Sequence, residues 1–329
     1  MSNDAMRPKG HVRAGTVLLL LAVAVLASLP AWGGRRELHL CAEFCCYLAL
    51  AQLWNLLAGY AGLVSIGQQA FVGVGAYALF LGCVLSPMPP LLGLPLAALA
   101  AALVALPAAW LLFRLRGAYF AIGSWAVAET LRLAASQLTV LGGGSGKSLP
   151  IGVVHAIAST RGVRDALLFW LSLLALVGVM AGILWLLRSR TGLALTALRD
   201  NPATAASVGI PAGRLKLAVF AGAAAATGLV GALLFLNRLR VAPDAAFVLD
   251  WTTNAMFIVV IGGLGSLEGP VLGALFFFAC RELFSQHGAA YLVAMGAIAI
   301  TMMLWAPAGL WGLLRGSRGS SLFDTRRRP

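Results

Sequence analysis

Few side chains in this chain could do chemistry, and most of them sit inside or between long apolar runs. Gly142-Gly143-Gly144-Ser145-Gly146-Lys147-Ser148 has the glycines and lysine of a phosphate-cradling loop. That loop needs a glycine where Leu141 stands and a strand before it, so nucleotide binding is excluded here. Glu129 and Arg132 lie three apart, share a helix face and can pair as ions. Ser65, Gln68 and Gln69 are hydrogen-bonding groups within a glycine-rich stretch, Gly59 to Tyr77. His11, His39, His155 and His287 are scattered without ligand spacing, so no metal site is expected. Cys41, Cys45, Cys46, Cys83 and Cys280 fall in apolar segments and act there as small hydrophobes. No nucleophile–base pair stands out, so neither an enzyme nor a cofactor is expected.

The elements that position these groups follow from composition. The chain has 329 residues, 60% hydrophobic and only 11% charged. A soluble domain carries roughly 25% charged residues, so this reads as an all-α, polytopic membrane protein. The net charge of +13 does not point to nucleic acid, because the basic residues fall in short connections between apolar runs. At about 20 apolar residues per span, ten spans are expected: 15–33, 38–58, 68–86, 91–113, 117–136, 166–187, 217–236, 246–264, 269–286 and 290–307. With both termini inside, 15 of the 24 Lys and Arg residues lie in inner segments and 8 in outer ones, with Arg132 within a span. The positive-inside rule supports that orientation. A tail at 1–14, with Arg7, Lys9 and Arg13, then precedes a transmembrane region at 15–314, and a basic tail at 315–329 follows it.

Two features stand out along the spans. Glycine clusters interrupt the pattern twice, around Gly62 and Gly67 and around Gly263 and Gly265. Such breaks allow close helix approach or an unwound segment facing a cavity. Gly62-Leu-Val-Ser-Ile-Gly67 and Gly263-Leu-Gly-Ser-Leu-Glu268 look alike, and both turn on the inner side. The second feature is the inner polar loop at 188–216. Asp200 or Asn201 can cap a helix beginning at Pro202 and ending at Gly209. A stiff helix projecting between two spans points to a soluble partner that grips it.

Together these motifs resemble the permease subunits of branched-chain (hydrophobic) amino acid ABC importers, of the LivM rather than the LivH kind. The resemblance is carried by Gly59 to Tyr77, Leu115 to Glu129, Thr191 to Ile210, Val260 to Ala274, and Leu304-Trp-Ala-Pro307-Ala-Gly309-Leu310-Trp-Gly312. It implies a type II-like importer permease in a bacterial inner membrane. It further implies a second, LivH-like permease, two ATPase subunits that hydrolyse the ATP, and a periplasmic binding protein that delivers the amino acid. By that resemblance Arg199, Asp200, Asn201, Pro202 and Gly209 form the helix that couples to the ATPase. Ser65, Gln68, Gln69 and Glu129 are candidates for the substrate path. Relatives of the same kind also carry urea, short amides and aromatic acids. A self-sufficient secondary carrier is a further alternative and would need an ion site, for which Glu43, Glu129 and Glu268 are the candidates.

Overall fold

The computed structural model describes residues 23–86, 88–158, 160–284, 289–306 and 308–315. Outside the described residues lie the tail at 1–14, the start of the first span, His11, His287, Pro307 and the tail beyond Arg315. The main helices, in chain order, are α1 (Arg35–Asn55), α2 (Gln69–Leu85), α3 (Pro90–Leu112), α4 (Ala118–Ser136), α5 (Arg161–Arg188), α6 (Arg190–Asp200), α7 (Pro202–Ser207), α8 (Ala212–Arg238), α9 (Asp250–Gly262), α10 (Gly269–Phe284), α11 (Ala289–Trp305) and α12 (Gly309–Arg315). A π-turn at Leu56–Tyr60 extends α1. Among the described residues, five helical stretches are long and apolar enough to cross a membrane: Arg35–Tyr60, Pro90–Leu112, Arg161–Arg188, Ala212–Arg238 and Pro243–Gly262. Gln69–Leu85 and Val293–Trp305 are shorter apolar helices.

Burial separates the centre of the bundle from its rim. The most apolar window is 78% buried in Arg35–Tyr60 and 72% in Ala212–Arg238, against 33% in Pro90–Leu112 and 39% in Arg161–Arg188. So α1 and α8 form the centre, while α3 and α5 turn much of their surface outward. A helical stretch that is apolar all round belongs either in a core or in lipid, and residues 44–51 of α1 and the whole of α3 show the two cases. Helix α8 packs on α2 and α3, and α1 packs on α5 and α9. Contact between α2 and α8 is backbone-close: a Cβ at Gly75 would meet the Gly228 backbone, and one at Gly231 would meet Val72. Lipid supplies no hydrophobic drive between helices, so close contact through small residues holds them.

The 188–216 segment differs from the expected loop with one short helix. Arg190–Asp200 is itself helical, and α7 follows it after one residue. The stretch is rich in Leu and Ala, both good helix formers. Leu195 and Leu198, three apart on one face, are buried, and that packing decides the matter. At the other end of the bundle, the glycine-rich loop forms no phosphate cradle. The Lys147 ammonium donates to the Val140 carbonyl at 3.0 Å, and Lys147–Ser148 pairs antiparallel with Arg240–Val241.

Candidate functional site

The two glycine breaks, far apart in sequence, lie side by side. The first begins where α1 ends in its π-turn. Helix ends leave carbonyls without intrahelical partners. Here the Leu56 carbonyl takes the Ala61 N–H at 3.1 Å and the Leu57 carbonyl takes the Leu63 N–H at 2.8 Å. The Gly59 carbonyl takes a side chain from elsewhere: Arg199 Nη1 donates to it at 2.5 Å. A cation is well placed there, at the negative end of a helix dipole. Arg199 is the penultimate residue of α6, so the inter-span segment is tied directly to the first break.

The arginine also covers both breaks. A Cβ at Gly62 would sit 3.3 Å from Arg199 Cγ, and one at Gly265 would sit 3.7 Å from Arg199 Nη1. Gly62, Gly263 and Gly265 have φ of +69°, +123° and +75°, a region that only glycine enters without cost. Gly67 differs, with no positive φ; a Cβ there would strike the Ser124 carbonyl. Glycine at 67 therefore serves the close approach of α4.

Two residues that sequence reasoning passed over hold the second break. Asn55 Nδ2 donates to the Ser266 carbonyl at 2.7 Å, and Asn55 Oδ1 accepts from the Gly265 N–H at 2.8 Å. Gln52 Nε2 donates to the Leu267 carbonyl at 2.7 Å. Both side chains are fully buried, and such groups are costly unless bonded. The signal was present in the sequence: two amides three apart on one face of the otherwise apolar stretch at 44–57. The Ser266 hydroxyl completes the turn, donating to Gly263 O at 2.9 Å and accepting from the Gly269 N–H at 3.1 Å.

Ser65, Gln68 and Gln69 are all buried, and their partners are protein. Ser65 Oγ accepts from the Gly67 N–H at 3.2 Å, and its carbonyl accepts from Trp54 Nε1 at 2.8 Å. Gln68 Nε2 donates to the Leu50 carbonyl at 3.3 Å and to Thr227 Oγ1 at 3.1 Å. Gln69 exchanges two bonds with Thr252: its N–H donates to Oγ1 at 3.0 Å, and the hydroxyl donates to its Oε1. The two glutamines thus pin the start of α2 to α1, α8 and α9. Gln68 Oε1 has no partner among the described residues.

Glu129 stands apart from that knot. It lies on α4, five residues beyond Ser124, whose Oγ accepts the Ile66 N–H at 2.9 Å. Arg132 grips the Glu129 carboxylate through Nε at 2.9 Å and Nη2 at 2.6 Å, and its Nη1 donates to Asp244 Oδ1 at 2.6 Å. Glu129 is 38% exposed and Asp244 79% exposed. So this pair sits at an open end of α4, on a face that also exposes Tyr119, Ile122, Trp125 and Leu133.

Asn201, rather than Asp200, caps α7. Its Oδ1 accepts from the Thr204 N–H at 3.1 Å, while Asp200 ends α6 and pairs with Arg199 at 2.8 Å. Pro202 is the first residue of α7. Gly209 follows with φ +82° and open space at its Cβ position.

A protein family described as branched-chain amino acid transport system / permease component matches residues 39–307. That range contains both breaks, α4, and the α6–α7 segment. The high-affinity branched-chain amino acid transport system permease protein LivM of Salmonella typhimurium is 28% identical over 321 residues, covering 91% of this chain and 75% of its own length. The protein of the same name from Escherichia coli matches to the same extent. A probable branched-chain amino acid transport permease protein LivM of Methanocaldococcus jannaschii is 27% identical over 171 residues, 52% of this chain and 49% of its own. No solved structure matches the chain.

Proposed function

Because the chain belongs to the family of branched-chain amino acid transport system permease components, we propose that it is the membrane-spanning subunit of an ATP-driven importer of branched-chain or other hydrophobic amino acids. The observation that carries this reading is the Arg199–Gly59 bond. It links a capped, exposed helix between two spans to the point where the central helix is broken. A push on α7 passes to α6 and reaches the end of α1 through this bond and through Leu195, which packs with Leu57 and Tyr60.

On this reading α7 docks in an ATPase subunit on the inner side of a bacterial inner membrane, with both termini on that side. Arg199, Asp200, Asn201, Pro202 and Gly209 form the coupling element. A second permease, a second ATPase subunit and a periplasmic binding protein complete the importer, and ATP hydrolysis belongs to the ATPase subunits. The exposed face of α4 that carries Glu129 meets the path between the two permeases. Ser65, Gln68 and Gln69 set the edge of that path by fixing where α2 begins. The test is uptake of a panel of labelled amino acids, urea, amides and aromatic acids by the reconstituted complex in liposomes. ATP-dependent uptake of leucine, isoleucine or valine is expected. Uptake driven by an ion gradient without ATP would overturn the proposal.

A further inference from the structure

An apolar groove runs between α5 and α8, floored by Leu53 and Leu56 of α1, with a volume of about 670 Å³. It spans Leu171 to Leu186 along α5, about 22 Å at 1.5 Å per residue. That exceeds the roughly 15 Å of hydrocarbon in one leaflet. Its hollow exists because the walls carry small residues. At Gly178, Gly182 and Gly222 an added Cβ would meet open space. Leu174 and Trp185 stand at the rim and are 67% and 75% exposed.

Cations flank one end of the groove. That end is closed by Leu186, Thr191 and Leu215, and Arg188, Arg190, Arg214 and Lys216 lie within one turn of them. Among the described residues no carboxylate forms an ion pair with Arg190, Arg214 or Lys216. The groove itself is lined by apolar side chains apart from Thr191. A long apolar slot with a cationic mouth matches one kind of occupant, an amphiphile with an anionic head. Basic pockets between spans are a known form of lipid recognition.

The cationic mouth favours an amphiphile with an anionic head over an apolar helix of another subunit, and an acyl chain is thin enough to enter. We propose that this groove is a binding site for an anionic membrane phospholipid, with one acyl chain between α5 and α8 and the phosphate held by Arg190, Arg214 and Lys216.

The test is native mass spectrometry of the full chain released from nanodiscs containing phosphatidylglycerol and phosphatidylcholine with the same acyl chains. The wild type is expected to retain phosphatidylglycerol in preference. Gly182→Leu fills the hollow and should remove the retained lipid of both classes, and Gly222→Leu, on the facing helix, should do the same. The triple change of Arg190, Arg214 and Lys216 to Gln falls at the starts of α6 and α8 and alters none of the apolar side chains that line the groove. It should lower the preference for the anionic lipid on the order of 100-fold at low ionic strength, at roughly fivefold per cation. Equal retention of phosphatidylglycerol by wild type and both leucine variants would overturn the site. So would an unchanged preference in the triple variant. Loss of the second permease from the leucine variants, with lipid retention unchanged, would assign the groove to that subunit instead and refute the proposal.

Discussion

Replacing Arg199 with Ala removes the side-chain hydrogen bond that joins the inter-span segment to the first break. Its 2.5 Å bond to the Gly59 carbonyl is charge-assisted, a class worth about 1.5–3 kcal/mol. The side chain is 38% exposed, so solvent screening brings the figure to the low end, about 1.5 kcal/mol. The ion pair with Asp200, which is 66% exposed, adds little. A loss of 1.4 kcal/mol is tenfold in an equilibrium. Local opening of the π-turn should therefore become about tenfold more frequent, while the buried helix contacts of α1 stay intact. Hydrogen exchange of the 56–63 amides in nanodiscs reads this directly, because exchange follows local opening free energy. Those amides should exchange about tenfold faster, and those of α5 should not change. In the reconstituted complex, substrate-stimulated ATP hydrolysis should fall while basal hydrolysis and subunit assembly remain. Arg199→Lys keeps the charge and loses the planar fork, so it should fall between the two. Unchanged exchange together with full stimulation in Arg199→Ala would refute the latch.

Asn201→Ala removes the cap of α7 at a cost of about 0.5–2 kcal/mol and should reduce co-purification of the ATPase. Asp200→Ala, which removes no cap, should leave it unchanged; equal loss in both would contradict the capping geometry. Gly209→Val should act like Asn201→Ala, because φ of +82° excludes a β-branched residue. Gln69→Leu leaves the buried Thr252 hydroxyl without its acceptor, at about 1–3 kcal/mol, so thermal stability and uptake should fall together; an unchanged melting temperature would dismiss the Gln69–Thr252 knot. A double-mutant cycle on Glu129 and Arg132 should give a coupling of about 0–1 kcal/mol, as befits a solvent-exposed pair; a value near 3 kcal/mol would mean that the pair is enclosed. Thr204→Cys on a cysteine-free background should resist an impermeant thiol reagent in intact cells, and labelling from outside would reverse the proposed orientation.

Composition alone determined that this chain is an all-α membrane protein. An 11% charged chain has no other way to satisfy its backbone in lipid than by helices or a closed barrel, and its apolar runs have helical length. Local chemistry likewise marked the start of α7, because Asn-Pro at a helix start depends on nearest neighbours only. The positive-φ glycines at 62, 263 and 265 were legible as breaks for the same reason. The run from Arg190 to Asp200 was not legible as a helix. Its ends are polar, and burial of Leu195 and Leu198 against α5 and the π-turn had to decide it. Tertiary structure alone decided what the breaks do. The bond from Arg199 to Gly59 spans 140 residues and that from Asn55 to Ser266 spans 211. No local pattern encodes which carbonyl a buried amide or a distant guanidinium will find. The same holds for Gln68 and Gln69, whose polarity suggested a path and whose partners Thr227 and Thr252 show a knot between helices. Sequence periodicity reports which residues avoid water or lipid, and only the packed bundle reports which of them meet.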